Sequence, residues 1–317
     1  MVHRTPCKQS KTLNVQSGHS VWMKLENLQR TGSFKIRGAF NKISQLTELE
    51  CKRGIVAASA GNHAQGVALA GREKGVQVTI FMPTNTPSSK VNATREYGAR
   101  VELTGDSFDE AYEESMRYQE KTGATFVHPF DDSVIIEGQA TVALEMLQQN
   151  PELETIVVPA GGGGLLAGTA LAIKLIRPDI KVVGVQAASA PAIASAFHQL
   201  DKNLIPFHST IAEGIKVKSP GVYTSEIIQS YVDDMITVSE VEIAEAILFM
   251  LEREKMLTEG AGAAGIAAIL GNHLSSEKSQ QVGVIVSGGN LDIEKLEICR
   301  QTIMDDQKRK QRSSYIL

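Results

Sequence analysis

Short runs rich in β-branched residues alternate with longer stretches of helical periodicity along most of the chain. The runs Ile55–Ala58, Val78–Met82 and Arg100–Leu103 each precede a helical stretch of roughly ten to fifteen residues. This alternation is typical of βαβ units on parallel sheets. It predicts an α/β fold with parallel-rich open sheets and helices on both faces. Glycine ends the helix before the next strand three times, at Gly75, Gly98 and Gly123.

The chain is long enough for two lobes. It has 317 residues, more than one small core needs. We predict a small mobile lobe at residues 54–131 and a large lobe formed by residues 1–53 and 132–317. A helix from Val134 to Gln149 follows the small lobe, and further strands are predicted at Thr155–Val158, Lys181–Val185, Met235–Val238 and Val282–Val286.

Composition favours a cytoplasmic enzyme without polymeric or membrane partners. The net charge is −4, and the only basic block, Lys308–Arg312, has no interleaved aromatic residues, so we expect no nucleic-acid partner. Cys7, Cys51 and Cys299 are too few and too widely spaced for a disulfide framework or a zinc site. No run approaches about 18 apolar residues, and the N-terminus lacks the apolar segment of a signal peptide.

A lysine stands where a strand-like run gives way to a helix. Lys35 lies in Gly32–Gly38, after the run Val21–Leu25, and is preceded by Ser33 and Phe34. Burial lowers the pKa of an ammonium group, and a neutral amine can condense with an aldehyde. Lys35 is therefore the candidate Schiff-base lysine, although an isolated S-x-K more often marks a surface lysine at a helix start.

A second segment, Ser59–Gly66, links a strand to a helix at the carboxyl end of the strand, where open α/β sheets bind ligands. It offers polar side chains and backbone N–H groups at a helix N-terminus, which suit a carboxylate. His63 is either a general base or a neutral hydrogen-bonding residue, and we favour the neutral role because Lys35 already supplies a base.

Two glycine-rich segments follow other strands. Gly161–Gly164 is a run of four glycines whose N–H groups can surround a phosphate at a helix N-terminus. It is neither a P-loop nor a convincing dinucleotide fingerprint, because neither the Gly-Lys-Ser/Thr sequence nor the later acidic residue is present. Ser287 precedes Gly288 and Gly289 and places a hydroxyl at the same sheet edge.

Together, the motifs S-F-K-I-R-G, S-A-G-N-H-A-Q-G, G-G-G-G-L and S-G-G-N resemble the fold-type II pyridoxal-phosphate enzymes. The similarity is to the serine/threonine dehydratase and serine racemase branch, is strongest to the catabolic threonine dehydratases, and runs from about Thr5 to Ile298. It includes the connecting segments Ala212–Ile215 and Leu257–Gly262. The resemblance implies the two-lobed fold of the tryptophan synthase β-like enzymes and a homodimer or homotetramer.

The resemblance also implies a role for each motif residue toward pyridoxal 5'-phosphate. Lys35 would hold the cofactor covalently and act as the catalytic base, while Phe34 would cover one face of its ring. Asn62 would bind the ring hydroxyl, and Ser287 would meet the pyridine nitrogen. Gly161, Gly162, Gly163, Gly164 and Leu165 would bind the phosphate. The substrate carboxylate would lie against Ser59, Ala60, Gly61, Asn62 and His63.

The function implied by the resemblance is β-elimination from a small hydroxy amino acid. L-Threonine would give 2-oxobutanoate and ammonia, and L-serine would give pyruvate and ammonia. The alternative is a serine racemase with side dehydratase activity, but racemases of this branch have a serine where this chain has Ala60. A catalytically dead phosphate-ligand sensor is a further alternative, although it would not need Lys35.

Racemases of the branch also carry an acidic pair that binds a divalent cation, whereas the corresponding loop here, Gln186–Ala192, has no carboxylate. We therefore predict no metal at this site. The sequence leaves open the ranking of threonine and serine, the oligomeric state, activation by a nucleotide and dependence on a monovalent cation.

Overall fold

The computed structural model describes residues 2–201, 205–274 and 279–314. Within these ranges the strands are β1 Cys7–Gln9, β2 Ser20–Leu25, β3 Ile55–Ala58, β4 Val78–Met82, β5 Arg100–Leu103, β6 Thr125–Phe126, β7 Thr155–Pro159, β8 Lys181–Ala187, β9 Asp234–Val238 and β10 Gln281–Val286. The helices are α1 Lys11–Ser17, α2 Lys35–Ser44, α3 Glu48–Arg53, α4 Asn62–Lys74, α5 Ser88–Glu96, α6 Phe108–Thr122, α7 Ser133–Gln149, α8 Gly164–Ile176, α9 Ala192–Phe197, α10 Val222–Tyr231, α11 Glu240–Phe249, α12 Gly260–Leu270 and α13 Glu294–Ser314.

The strands form two sheets. A six-stranded sheet has the order β1-β2-β10-β7-β8-β9, in which only the β1–β2 pair is antiparallel. A four-stranded parallel sheet has the order β5-β4-β3-β6. The prediction of an α/β fold with parallel-rich sheets is confirmed. The smaller sheet takes all its strands from residues 55–126, but the mobility of residues 54–131 stays a prediction.

Helices cover both faces of the six-stranded sheet. Along β7, Val157 faces one buried cluster while Ile156 and Val158 face the other, as the two-residue period of a strand requires. The first cluster includes α11 and α12, and the second includes α7 and α8. Such double burial explains why the central strands are continuous apolar runs rather than alternating ones. No helix in the described ranges is long and apolar enough to cross a membrane.

Local sequence signals set the helix boundaries. Thr47, Ser107 and Ser239 each form a capping box with the glutamate three residues later. Gly75 and Gly123 end α4 and α6 in the left-handed conformation, with φ angles of 73° and 69°, as predicted. These caps direct each chain segment into the next strand.

A buried ionic network joins β2, α2 and α7 behind the start of α2. The Arg37 guanidinium donates to Glu26 Oε2 at 2.7 Å and to Glu145 Oε1 at 2.8 Å. Lys24, whose side chain is fully buried, donates to Glu145 Oε2 at 2.6 Å and to the Thr5 carbonyl at 2.8 Å. The network fixes the orientation of α2, and hence of Lys35, two residues before Arg37.

Replacing Arg37 should be strongly destabilising. Arg37→Met leaves the carboxylate of Glu26 buried without its cation. We expect the free energy of unfolding to fall by about 3 to 5 kcal/mol. The control is Arg117→Ala, which removes exposed ion pairs with Glu113 and Glu114. It should lower the free energy of unfolding by under about 1 kcal/mol. Denaturant unfolding of both cofactor-free variants measures the difference. Equal losses would contradict the importance given to the network.

Candidate active site

The segment that carries Lys35 is attached to the end of β10. Ser33 and Gly288 form an isolated antiparallel bridge. The Phe34 N–H donates to the Ser287 carbonyl at 3.1 Å, and the Gly289 N–H donates to the Gly32 carbonyl at 2.8 Å. Lys35 and Ser287, distant in sequence, are therefore held at one edge of the larger sheet.

Lys24 is fully buried and Lys35 is partly buried, and the two differ in their hydrogen bonding. Lys24 donates to Thr5, Glu145 and Gln149, which uses all three of its N–H bonds. Lys35 Nζ donates only to the Pro129 carbonyl, at 2.7 Å, among the described residues. Burial lowers the pKa of both amines, that of Lys35 to about 8, against the opposing influence of Glu259. Lys35 is thus the partly buried lysine whose remaining N–H bonds have no acceptor among the described residues and whose neutral form is accessible.

The smaller sheet approaches Lys35 through a glycine of α4. A Cβ on Gly66 would lie 3.2 Å from the backbone N of Ile36 and from the carbonyl carbon of Lys35. A Cβ at this distance would press on the backbone of α2, so glycine favours the close approach of α4 to the start of α2. The close packing brings the loop before α4 next to the lysine.

The glycine run forms a backbone-lined cradle at the start of α8. The N–H groups of Gly161, Gly162 and Gly163 donate to no residue that the structure describes, and the first turn of α8 adds further free donors. A Cβ on Gly162 would lie 2.3 Å from the ring of Phe130, so a side chain cannot enter the cradle there. Gly163 has a φ angle of 95°. These features fit a bound phosphate, which wants several N–H donors at a helix N-terminus.

Residues on α10 and before α7 hold this cradle in place. The Thr224 hydroxyl donates to the Gly162 carbonyl at 2.8 Å. The Asp131 carboxylate accepts from the N–H groups of Val222 and Thr224 at 2.9 and 3.0 Å. Because Asp131 and Phe130 directly follow Pro129, the partner of Lys35, the cradle and the lysine lie close together. The sequence assigned neither Asp131 nor Thr224 to the site.

The loop after β3 presents free donors at the N-terminus of α4. The Ser59 hydroxyl accepts from the Gly61 N–H at 3.2 Å, which shapes the turn. The N–H groups of Ala60, Asn62 and His63 donate to no described residue, and Ala60 itself has only a methyl group. The loop can therefore hold a carboxylate through its backbone.

His63 is buried below this loop. Its Nε2 lies 2.8 Å from the Val127 carbonyl, so this nitrogen carries the hydrogen. Burial, with a further effect of the Lys35 charge, lowers the pKa of His63 to about 3. The imidazole is neutral at physiological pH, and its Nε2–H is already in use.

Asn62 contacts a residue that was not among the predicted site residues. Its Nδ2 donates to Glu259 Oε1 at 2.6 Å, and its Oδ1 accepts from Asn290 Nδ2 at 2.7 Å. The motif around Glu259 entered the sequence argument only as a connecting segment. Nothing local marked its carboxyl as part of the crevice.

The Ser287 side chain is 2% exposed at the end of β10. The buried hydroxyl of nearby Ser33 lacks a hydrogen-bond partner among the described residues. Buried polar groups without partners are uncommon, and they occur where a ligand completes the hydrogen bonds. Together with the glycine cradle, they show that the residues present suit a phosphorylated, polar ring.

The loop that would correspond to a cation site has a different local role. Gln186 Oε1 accepts from the Ala194 N–H at 2.8 Å and so supports the start of α9. In the described ranges no group of three His, Cys, Asp or Glu residues is arranged to hold a metal ion. The prediction that the protein binds no divalent cation stays a prediction.

The lowered pKa of Lys35 predicts a pH-dependent stability of the cofactor-free protein. Between pH 8 and 10.5 the folded amine is neutral while the unfolded chain keeps its proton, so stability should rise with pH over this window. The total gain should be about 3 kcal/mol. Lys35→Met has no such group, and the difference in unfolding free energy between wild type and this variant, measured at several pH values, isolates the effect. A difference that is constant from pH 8 to 10.5 would refute the lowered pKa.

Curated relatives match nearly the whole chain. L-threonine ammonia-lyase of Thermotoga maritima is 50% identical over 297 residues, which are 94% of this chain and 74% of that protein. The catabolic L-threonine dehydratase TdcB of Escherichia coli strain K12 is 41% identical, with coverage of 93% and 90%.

Solved structures of the same kind share the fold. The processed form of threonine deaminase isoform 2 from Solanum lycopersicum superposes with a TM-score of 0.89 at 35% identity, over 95% of this chain and 83% of that one. Maize serine racemase gives a TM-score of 0.88 at 37% identity, over 97% and 94%. The family described as "Pyridoxal-phosphate dependent enzyme" matches residues 1–288. The chain therefore belongs to the pyridoxal-phosphate-dependent enzyme family, as its motifs indicated.

Proposed function

We propose that the protein is an ammonia-lyase that converts L-threonine to 2-oxobutanoate and ammonia, and L-serine to pyruvate and ammonia. The observation that carries the proposal is Lys35, a partly buried lysine with a pKa lowered to about 8, in the same crevice as the glycine cradle. The names of the relatives at 41–50% identity support threonine as the substrate.

The chain offers a group for each part of pyridoxal 5'-phosphate. The N–H groups of residues 161–165 would hold the phosphate, Phe34 would lie against the ring, and Asn62 and Ser287 would meet the ring hydroxyl and the ring nitrogen. When bound, the cofactor supplies an aldehyde that condenses with amines and a ring that withdraws electrons from the substrate Cα.

Lys35 then has two tasks. Its neutral amine would supply the covalent link to the cofactor and, when free, would take the proton from the substrate Cα as a general base. A pKa near 8 keeps a useful neutral fraction at physiological pH, where an ordinary lysine would be almost fully protonated. The Pro129 carbonyl, 2.7 Å from Nζ, orients the amine.

The loop of residues 59–63 orients the substrate. Its N–H groups bind the substrate carboxylate and so set which Cα substituent faces Lys35. The pKa of His63, lowered to about 3, makes its imidazole a weak base, and its Nε2–H already donates to Val127. Ala60 offers no proton donor on the opposite face.

A serine racemase is the competing function, and the structural likeness to maize serine racemase is the observation in its favour. Racemisation needs a proton removed on one face and returned on the other. Because Ala60 cannot return a proton, we favour elimination.

We further propose a cytoplasmic homodimer or homotetramer. The three cysteines are free thiols, two of them partly exposed, which suits a reducing compartment.

Turnover of threonine tests the function directly. Wild type should release 2-oxobutanoate from L-threonine, and Lys35→Ala should be slower by about 10³-fold or more because it loses the base and the covalent link. The matched control is Lys42→Ala, on the same helix but paired with Asp132 at 2.7 Å, and it should stay near wild type. Comparable turnover by the Lys35 and Lys42 variants would exclude the proposed role.

The glycine cradle should be necessary for cofactor retention. In Gly163→Ala a Cβ would lie 2.8 Å from Thr224 Cβ, whereas in Gly75→Ala it would meet nothing within 4 Å at a similarly positive φ angle. Both variants carry backbone strain, so the comparison isolates crowding at the cradle. We expect cofactor loss on gel filtration for Gly163→Ala only. Equal retention by both variants would place the phosphate elsewhere.

Position 60 should decide the reaction outcome. Wild type should form almost no D-serine from L-serine, whereas Ala60→Ser, which supplies a hydroxyl on the second face, should gain measurable D-serine formation and accept D-serine for elimination. Chiral chromatography of the products measures both. D-serine formation by wild type at a rate comparable with pyruvate would instead establish the racemase.

A further inference from the structure

Glu259 lies at the start of α12, with its side chain directed away from the helix. Its N–H donates to the Gly288 carbonyl at 3.1 Å, which fixes its backbone beside Ser287. Although it occupies the N-cap position of α12, its side chain makes no capping hydrogen bond. The carboxyl group is therefore not explained by the stability of the helix.

The carboxyl instead sets the orientation of Asn62. Because an ionised carboxylate only accepts hydrogen bonds, Asn62 must turn Nδ2 toward Glu259, at 2.6 Å. Its Oδ1 then faces Asn290 Nδ2, at 2.7 Å, and Asn290 Nδ2 also donates to the Thr31 carbonyl at 2.7 Å. These contacts leave the second Nδ2–H bond of Asn62 without a partner among the described residues, so it can bind a further group.

The sequence around β10 makes room for this carboxyl. A Cβ on Gly288 would lie 2.3 Å from Glu259 Oε1 and 3.2 Å from Asn62 Nδ2. Gly288 must therefore be a glycine if Glu259 and Asn62 are to meet. The Glu259 carboxyl therefore lies against Asn62, the residue proposed for the ring hydroxyl, and beside Gly288, which follows the residue proposed for the ring nitrogen.

The charges around Glu259 do not neutralise it. No cation forms an ion pair with it among the described residues. Lys35 and Lys90 favour its ionised form while Glu213 opposes it, and Glu213 is itself paired with Lys90 and Lys295. Burial outweighs these effects and raises the pKa of Glu259 to about 7. The carboxyl thus exchanges a proton near neutral pH.

We propose that Glu259 is a positioning residue for the cofactor ring: it holds the Asn62 amide in place through their hydrogen bond, and its ionisation is transmitted to the ring through Asn62. When Glu259 is ionised, its charge polarises the Asn62 amide; when it is protonated, that polarisation weakens. The inference rests on the proposed contact of Asn62 with the ring, but not on which amino acid is consumed.

The visible absorbance of the substrate-free holoenzyme, recorded across neutral pH, is the test. Wild type should show a spectral component that titrates near pH 7. Glu259→Gln keeps the shape and can still accept from Asn62, so it should retain the cofactor but lose this component. The control Glu213→Gln removes a neighbouring carboxylate that lies outside the Asn62 contact. It should keep the component, with its midpoint moved to lower pH, because the Glu213 charge opposes ionisation of Glu259.

Two further variants separate the mechanism from a general structural defect. Glu259→Ala should weaken cofactor binding by about tenfold, whereas Glu259→Gln should bind nearly as well as wild type. Asn62→Ala should abolish the spectral component even though Glu259 is still present.

The proposal is overturned if Glu259→Gln titrates as wild type does, if wild type shows no component near pH 7, or if Asn62→Ala keeps the component. Absence of a lysine-bound cofactor from wild type would instead overturn the proposed function. If the wild-type holoenzyme turns over threonine normally but the absorbance of Glu259→Gln titrates as that of wild type does, only this inference is overturned.

Discussion

The burial of one amine against one carbonyl is the constraint on which this site depends. Lys35 Nζ lies 2.7 Å from the Pro129 oxygen and has no anionic hydrogen-bond partner among the described residues, so desolvation lowers its pKa rather than an ion pair raising it. Burial lowers the pKa of Lys24 too, but the Glu145 carboxylate at 2.6 Å forms an ion pair with it and opposes that shift. The same residue type is therefore part of the structural network in one place and, as we propose, a reactive group in the other.

The fold keeps that amine in place from three directions. The bridge between Ser33 and Gly288 attaches it to the larger sheet, Gly66 admits α4 from the smaller sheet, and the Arg37 network fixes the helix that carries it. Burying Arg37 with two carboxylates is costly unless every hydrogen bond is made. Such a network gives orientation more than net stability, and orientation is what a general base needs.

The parts of this structure that the sequence predicted are those with local signals. Strand periodicity, capping residues and helix-ending glycines indicated the elements and the parallel sheets, and the motif positions of Lys35 and Gly161–Gly164 indicated the ligand-binding edge. Glu259 was missed because its significance arises from Asn62, 197 residues away in the sequence. Arg37 and Glu145 are likewise 108 residues apart, and no local pattern couples them. Contacts of this kind depend on how the two sheets pack.

The central claim is that Lys35, and no other lysine, carries the cofactor. Borohydride reduction of the purified holoenzyme, followed by proteolysis and peptide mass spectrometry, would locate the covalently attached cofactor. We predict the phosphopyridoxyl group on the peptide that contains Lys35, with Lys24 unmodified. Attachment at Lys24, at Lys90 or at several lysines would contradict the account.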